Sequence, residues 1–232
     1  MIEKNGPPPE TYFWLANMSP SMERYGATFV KHGFETTFAV GFIDSEEDLE
    51  SMGVWKDDAK LILPYLIAPR TMVTYWSPLI RNIPTTASIS VYQFFLASPV
   101  PFLSQYAERL AQNGFDSLVA LKCLLAEDIG EIFLDRISVG HARTLLHMTR
   151  YIGDTHSPVL DADISLSSWL SHLKPPMHRY ISAVQLLPEV ESVWKLFQAT
   201  KQEVMELPMP LGHRRVLWSY IVDGRTFYFD PL

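Results

Sequence analysis

The chain has 232 residues, 47% hydrophobic and 19% charged, which suits one large folded domain or several small ones and excludes a disordered chain. A formal net charge of -7 argues against a dedicated nucleic-acid binder, whose affinity would come from Lys and Arg on phosphates. The single cysteine, Cys123, rules out an internal disulfide framework and a cysteine-based zinc cluster, and its setting in LKCLLAEDI predicts a core thiol.

The opening stretch, MIEKNGPPPE, reads as a Pro-rich leader over 1–10 without the apolar run of a signal peptide. No stretch reaches about 18 consecutive apolar residues. No membrane insertion and a cytoplasmic location are therefore expected.

Over 11–69 a Trp14-Leu15 pair is followed 11 residues on by Tyr25, and 23 residues later by Asp48-Leu49. Ser45 stands three residues before Asp48, the spacing of a helix N-cap with its capping acid. Lys60 then opens the apolar run KLILPYLI, in which Pro64 should bend or shorten the helix. The stretch 70–90 is rich in Pro yet holds Met72, Val73, Tyr75, Trp76, Leu79 and Ile80, so it is expected to pack against its neighbours.

The same signals return over 91–153. Phe95-Leu96 is followed by Tyr106, then by Asp128-Ile129, and Arg143 opens RTLLHMTRYI. Leu125 stands where the capping hydroxyl should be, and Gly140 before His141, like Gly212 before His213, suits a turn into the last helix. Leu145, Met148 and Ile152 share one helix face. After a shorter, more polar connection over 154–164 the pattern appears a third time, over 165–223. Here the matching residues are Trp169-Leu170, Tyr180, Glu203-Val204 behind the cap Thr200, and Arg215 opening RRVLWSYI. In the tail, 224–232, Asp223-Gly224 signals a turn, after which Phe227-Tyr228-Phe229 should run extended and fold back.

Three repeats of short helices, with no sustained period-two alternation, predict an all-α protein. The expected cores are Trp14, Leu15, Tyr25, Phe29, Leu49 and Ile62 in repeat 1. In repeat 2 they are Phe95, Leu96, Tyr106, Leu110, Leu145 and Met148, and in repeat 3 Trp169, Leu170, Tyr180, Val204, Leu217 and Ile221.

A W-L start, a Tyr 11 residues on, an acidic helix as in SEEDLESMGV and a Gly-His opening to a longer final helix, as in LGHRRVLWSYI, resemble the sterile alpha motif (SAM) domain. The resemblance implies three tandem five-helix SAM-like bundles. Repeat 1 departs from it with Asp57-Asp58 in place of Gly-His. Repeat 3 has Pro188 where the others have Gly33 and Gly114, and repeat 2 has Phe133 where repeat 1 has Gly53.

Seven histidines show no HExxH spacing, and they read as surface or helix-start residues. The acidic pairs Glu46-Glu47 and Glu127-Asp128 sit at helix starts, where they offset the positive helix end. No phosphate loop, nucleophile elbow or dinucleotide fingerprint is present, so neither enzyme activity, nor a cofactor, nor a metal is expected.

What the resemblance implies instead is a scaffold or adaptor whose partners are further copies of itself, other SAM-domain proteins, or both. SAM domains associate head to tail, the start of the last helix of one meeting an acidic mid-loop surface of another. Here the basic candidates are His141, Arg143, His213, Arg214 and Arg215. The acidic ones are Glu46, Glu47, Asp48, Glu50, Glu127, Asp128 and Glu131. On this reading Arg214 and Arg215 form an unpaired basic end that supports self-assembly. The alternatives are hetero-binding only, in the manner of liprin-type adaptors, and RNA-hairpin binding, against which Asp57-Asp58 and the overall acidity count.

Overall fold

The computed structural model describes residues 9–67, 69, 89–98, 100–150, 152, 164–188 and 190–229. The linker residues 70–88, the connection 153–163, His156 within it, and most of the leader lie outside the described residues. Among the described residues every regular element is helical.

Repeat 1 contributes α1 (Glu10–Met18), α2 (Gly26–Lys31), α3 (Thr37–Val40), α4 (Glu46–Ser51) and α5 (Lys56–Ile62). Repeat 2 contributes α6 (Val91–Ala97), α7 (Ala107–Gln112), α8 (Leu118–Lys122), α9 (Ala126–Phe133) and α10 (Val139–Arg150). Repeat 3 contributes α11 (Leu166–His172), α12 (Ile181–Val184), α13 (Val193–Leu196), α14 (Lys201–Met205) and α15 (Leu211–Phe229). In each, a 3-10 turn follows the first helix: Pro20–Tyr25, Pro101–Tyr106 and His178–Tyr180. The element order therefore recurs with the sequence pattern.

Local chemistry sets these starts. Thr36, Ser117 and Ser192 each accept a hydrogen bond from the backbone N–H three residues on, capping α3, α8 and α13 alike. Each such cap contributes about 1 kcal/mol. Thr200 and Glu203 form a full capping box on α14. Leu125 has no hydroxyl to offer α9, but the Asp128 carboxylate still accepts from the Leu125 N–H at 2.9 Å, so half of the box survives. Pro64 acts as expected: α5 stops at Ile62 and gives way to a 3-10 turn, Leu63–Leu66.

The described residues group into two compact units. One is drawn from Met1–Ile80, Phe95–Leu103 and Phe133–Tyr151, the other from Arg81–Phe94, Ser104–Ile132 and Ile152–Leu232. The grouping does not follow the repeat boundaries, because α10 of repeat 2 belongs with repeat 1. In the first unit Leu15, Tyr25, Phe29, Phe34, Ile43, Leu49 and Ile62 share one buried cluster, with Trp14 packed partly buried against it. In the second unit Trp169 meets both Phe197 and Tyr220 edge to face, and Leu170, Val204, Leu217 and Ile221 are buried.

Three expectations are corrected. Tyr106 and Tyr180 are half-buried and not core residues; the Tyr180 ring lies 4.8 Å from the Arg179 guanidinium and its hydroxyl meets His213. Leu96 is 48% exposed; the buried pair of α6 is Phe94 and Phe95. Pro99 disfavours helix at Ser98, and α6 ends at Ala97, with Val91, Phe94 and Phe95 on its buried face. The tail does not turn at Asp223-Gly224, because α15 runs through to Phe229. Gly224 serves a close approach instead: a Cβ there would lie 2.5 Å from the Phe197 ring. Arg225 donates to the Phe197 and Ala199 carbonyls and holds this last stretch in place.

Candidate protein-docking interface

In the first unit the start of α10 docks on the loop between α2 and α3 and on the start of α4. The Gly140 N–H donates to the His32 carbonyl at 2.7 Å. An ideal Cβ on Gly140 would fall 2.5 Å from the Gly33 carbonyl oxygen, so only glycine permits this approach. Gly33 itself sits at φ 83°, a left-handed conformation that favours glycine. One turn along, Arg143 grips Asp48 with two hydrogen bonds, at 2.7 and 2.6 Å, and adds a third to the Phe42 carbonyl at 3.3 Å. His141 lies 3.6 Å from the Glu35 carboxylate and stacks on Phe102. His147 stacks on Phe42 at 4.3 Å between ring centroids.

The second unit contains the same contact. The Gly212 N–H at the start of α15 donates to the Asn113 carbonyl at 2.8 Å, and a Cβ on Gly212 would overlap the Gly114 carbonyl. Gly114 has φ 84°. Arg215 donates twice to Asp128, at 3.1 and 2.6 Å, and once to Glu127, at 2.7 Å. His213 lies 3.3 Å from Asp116, and its other ring nitrogen is 2.7 Å from the Tyr180 hydroxyl. Where His147 meets Phe42 in the first unit, Ser219 lies 3.9 Å from the Cys123 thiol in the second. Residue for residue, Gly140, His141, Arg143 and His147 correspond to Gly212, His213, Arg215 and Ser219. The residues facing them, His32, Glu35, Phe42 and Asp48, correspond to Asn113, Asp116, Cys123 and Asp128.

The electrostatics follow. An arginine in the first turns of a helix faces the positive end of the helix dipole, which a carboxylate opposite it offsets. Arg143 holds the Asp48 carboxyl below its usual range. Burial would push Asp116 up, but the hydrogen bond from His213 and its attraction outweigh this and leave the carboxyl lowered. Arg215 lowers Glu127 in turn. Burial raises the Cys123 thiol, the opposite of what a nucleophile needs.

Set against the sequence reading, five of the proposed residues form cross-repeat ion pairs: Arg143 with Asp48, and Arg215 with Glu127 and Asp128. Arg215 does not form the expected free basic end. Arg215 is only 8% exposed, and Arg214 donates to the Met205 carbonyl of its own repeat. Glu47, Glu50 and Glu131 are exposed and Glu46 is half-buried, and among the described residues none forms such a pair.

His141 and His213, read as surface or helix-start residues, are buried inside the contact. Gly140 and Gly212 lie within the first turn of their helices, not in a turn before them; their role is to let two backbones meet. Glu35 and Asp116 were missed. The available signal was their shared place just before the caps Thr36 and Ser117. Among the described residues no group of His, Cys, Asp and Glu could hold a metal ion. Among the same residues no helix is long and apolar enough to cross a membrane.

No protein-family model, no curated protein and no solved structure matches the chain.

Proposed function

We propose that the chain is a non-enzymatic adaptor of three tandem SAM-like repeats, which uses head-to-tail docking to organise itself and binds a different protein through the surfaces left over. One observation carries the reading: a contact of one design, glycine against carbonyl and arginine against aspartate, is present twice at matching positions. It joins an acidic loop region to the start of a last helix, the polarity that the SAM resemblance implies. Opposed charges on such an interface fix register and reject wrong partners. Because the basic helix starts of repeats 2 and 3 are engaged within the chain, hetero-association of the liprin type is favoured over self-assembly through Arg214 and Arg215.

Charge reversal and exchange test this. Arg215→Glu should release the start of α15, and the paired exchange Arg215→Asp with Asp128→Arg should restore it in part. The readout is the reactivity of Cys123, which docking shields. If Arg215→Glu left that reactivity unchanged, the docking reading would fail. Light scattering of the unmodified chain should give the mass of one chain at every concentration; a mass rising with concentration and falling with salt would return self-assembly to the leading place.

A further inference from the structure

The contact has features that occur in both copies. The entering helix carries a glycine with no room for a Cβ, Gly140 or Gly212, and the receiving loop carries a left-handed glycine, Gly33 or Gly114. An arginine of the helix then reaches an aspartate at the third position of the next helix. Three repeats supply a third helix start and a third loop, and neither meets these conditions.

In the helix start of repeat 1, Asp57 occupies the glycine position, Asp58 the histidine position and Lys60 the arginine position. A side chain at residue 57 would have to enter space that a single Cβ already overfills in the other two copies. Asp58 is held by the Tyr25 hydroxyl and by Arg24, and would meet the acid that receives His141 or His213 in the internal contacts. Trp55 stands where Ser138 and Pro210 press on the receiving glycine; it is 70% exposed, with the Arg24 guanidinium 4.9 Å from its ring.

In the loop of repeat 3 the acids are kept. Glu191 precedes the cap Ser192 as Glu35 precedes Thr36 and Asp116 precedes Ser117, and Glu203 sits where Asp48 and Asp128 sit. The glycine is not kept. The loop has Pro188, whose ring fixes φ near about -65°, and it is one residue longer between Tyr180 and the cap.

We infer that Trp55, Asp57 and Asp58 at one end and the Pro188 loop at the other close the array, so that docking stops after two contacts and a second copy of this chain is refused at both ends. The inference rests on the docking reading above and adds which residues limit it. Heterologous contacts that are not stopped in this way propagate into rings or open filaments.

Four full-length chains test it by light scattering. They are the unmodified chain; a donor graft with residues 55–60 replaced by the Ser-Val-Gly-His-Ala-Arg of 138–143; an acceptor graft with residues 187–190 replaced by the Asn-Gly-Phe of 113–115; and the double graft. The first three should each keep the mass of one chain. An equimolar mixture of the two single grafts should form pairs, and the double graft should grow with concentration and shrink with salt. A double graft that keeps the helical circular dichroism and melting temperature of the parent yet stays at one chain overturns the inference. So does assembly of the unmodified chain or of either single graft alone.

A peptide of residues 138–150 reads the acceptor half without altering α5. It should bind the acceptor graft and not the unmodified chain, and equal binding to both overturns that half. Failure of the docking reading itself shows elsewhere, as unprotected Gly140 and Gly212 amides in the unmodified chain.

Discussion

The Gly212 amide lies 2.8 Å from the carbonyl of Asn113, and the space where a Cβ would stand on Gly212 is filled by the backbone of Gly114. Gly140 stands in the same relation to His32 and Gly33. A glycine in a helix interior normally weakens it by about 1 kcal/mol relative to alanine. At these two positions the absence of a side chain allows one backbone to reach another, so the usual sign of a substitution reverses.

Gly212→Ala should therefore destabilise the protein, by about 1–3 kcal/mol, the range typical of overpacking a close contact. Urea unfolding followed by circular dichroism measures it. Gly130 makes a control, because a Cβ there meets nothing within 4 Å; Gly130→Ala in α9 should be neutral or stabilising. A stabilised Gly212→Ala protein would contradict the contact.

The two arginines should differ in cost. Arg215 and Asp128 have side chains 9% and 1% exposed, whereas Arg143 and Asp48 stand at 33% and 22%. Removing one member of a buried pair leaves the other charge uncompensated, at about 3 kcal/mol or more. A partly exposed pair contributes about 1 kcal/mol. Arg215→Ala should thus cost more than Arg143→Ala, and unfolding midpoints of the two variants settle the order.

Acid should loosen both contacts. Asp48, Asp116 and Glu127 are all lowered in the folded chain. The unfolded chain, with carboxyl pKa values of about 3.9 for Asp and 4.3 for Glu, binds protons first as pH falls. The stability these groups contribute is complete above about pH 5 and is lost as pH drops through their folded values. Melting temperature should decline gently as pH falls through the histidine range, because burial lowers His147, and more steeply below about pH 5, where Asp48→Asn should flatten part of the fall.

Cys123 is the single cysteine of the chain, so alkylation with a small iodoacetamide reports on one site. In the docked state it reacts slowly, because burial raises its pKa and α15 covers it through Ser219. Gly212→Ala and Arg215→Glu should each speed the reaction several-fold. Arg143→Glu, which acts in the other unit, should not.

Much of this could be read from the sequence, and the gaps have physical causes. The recurring tyrosine marked a real anchor: Tyr25 reaches Asp58 and Tyr180 reaches His213, each tying a last helix to its own repeat. The charge pattern is legible as well, in that Asp48, Asp128, Arg143 and Arg215 all enter ion pairs between repeats. What sequence could not give was the partner. Spacing along a chain carries no distance through space, so Arg215 looked like a free end when it was already engaged with Asp128. The glycines misled for a related reason: Gly140, Gly212 and Gly224 all read as turn formers, yet each marks a surface where something presses close. Leu96 failed because the aromatic-Leu spacing did not tell which face of α6 is buried, and that face holds Val91, Phe94 and Phe95.

The most direct test of the repeated contact is amide hydrogen exchange at Gly140 and Gly212, resolved by NMR. Both occupy the first turn of a helix, where backbone N–H groups have no partner within the helix and exchange quickly. If the His32 and Asn113 carbonyls receive them, both amides will be protected in the unmodified chain, and Gly212 will lose its protection in Arg215→Glu while Gly140 keeps it. Exchange at both positions as fast as at an ordinary exposed helix start would contradict the docking contact and the function built on it.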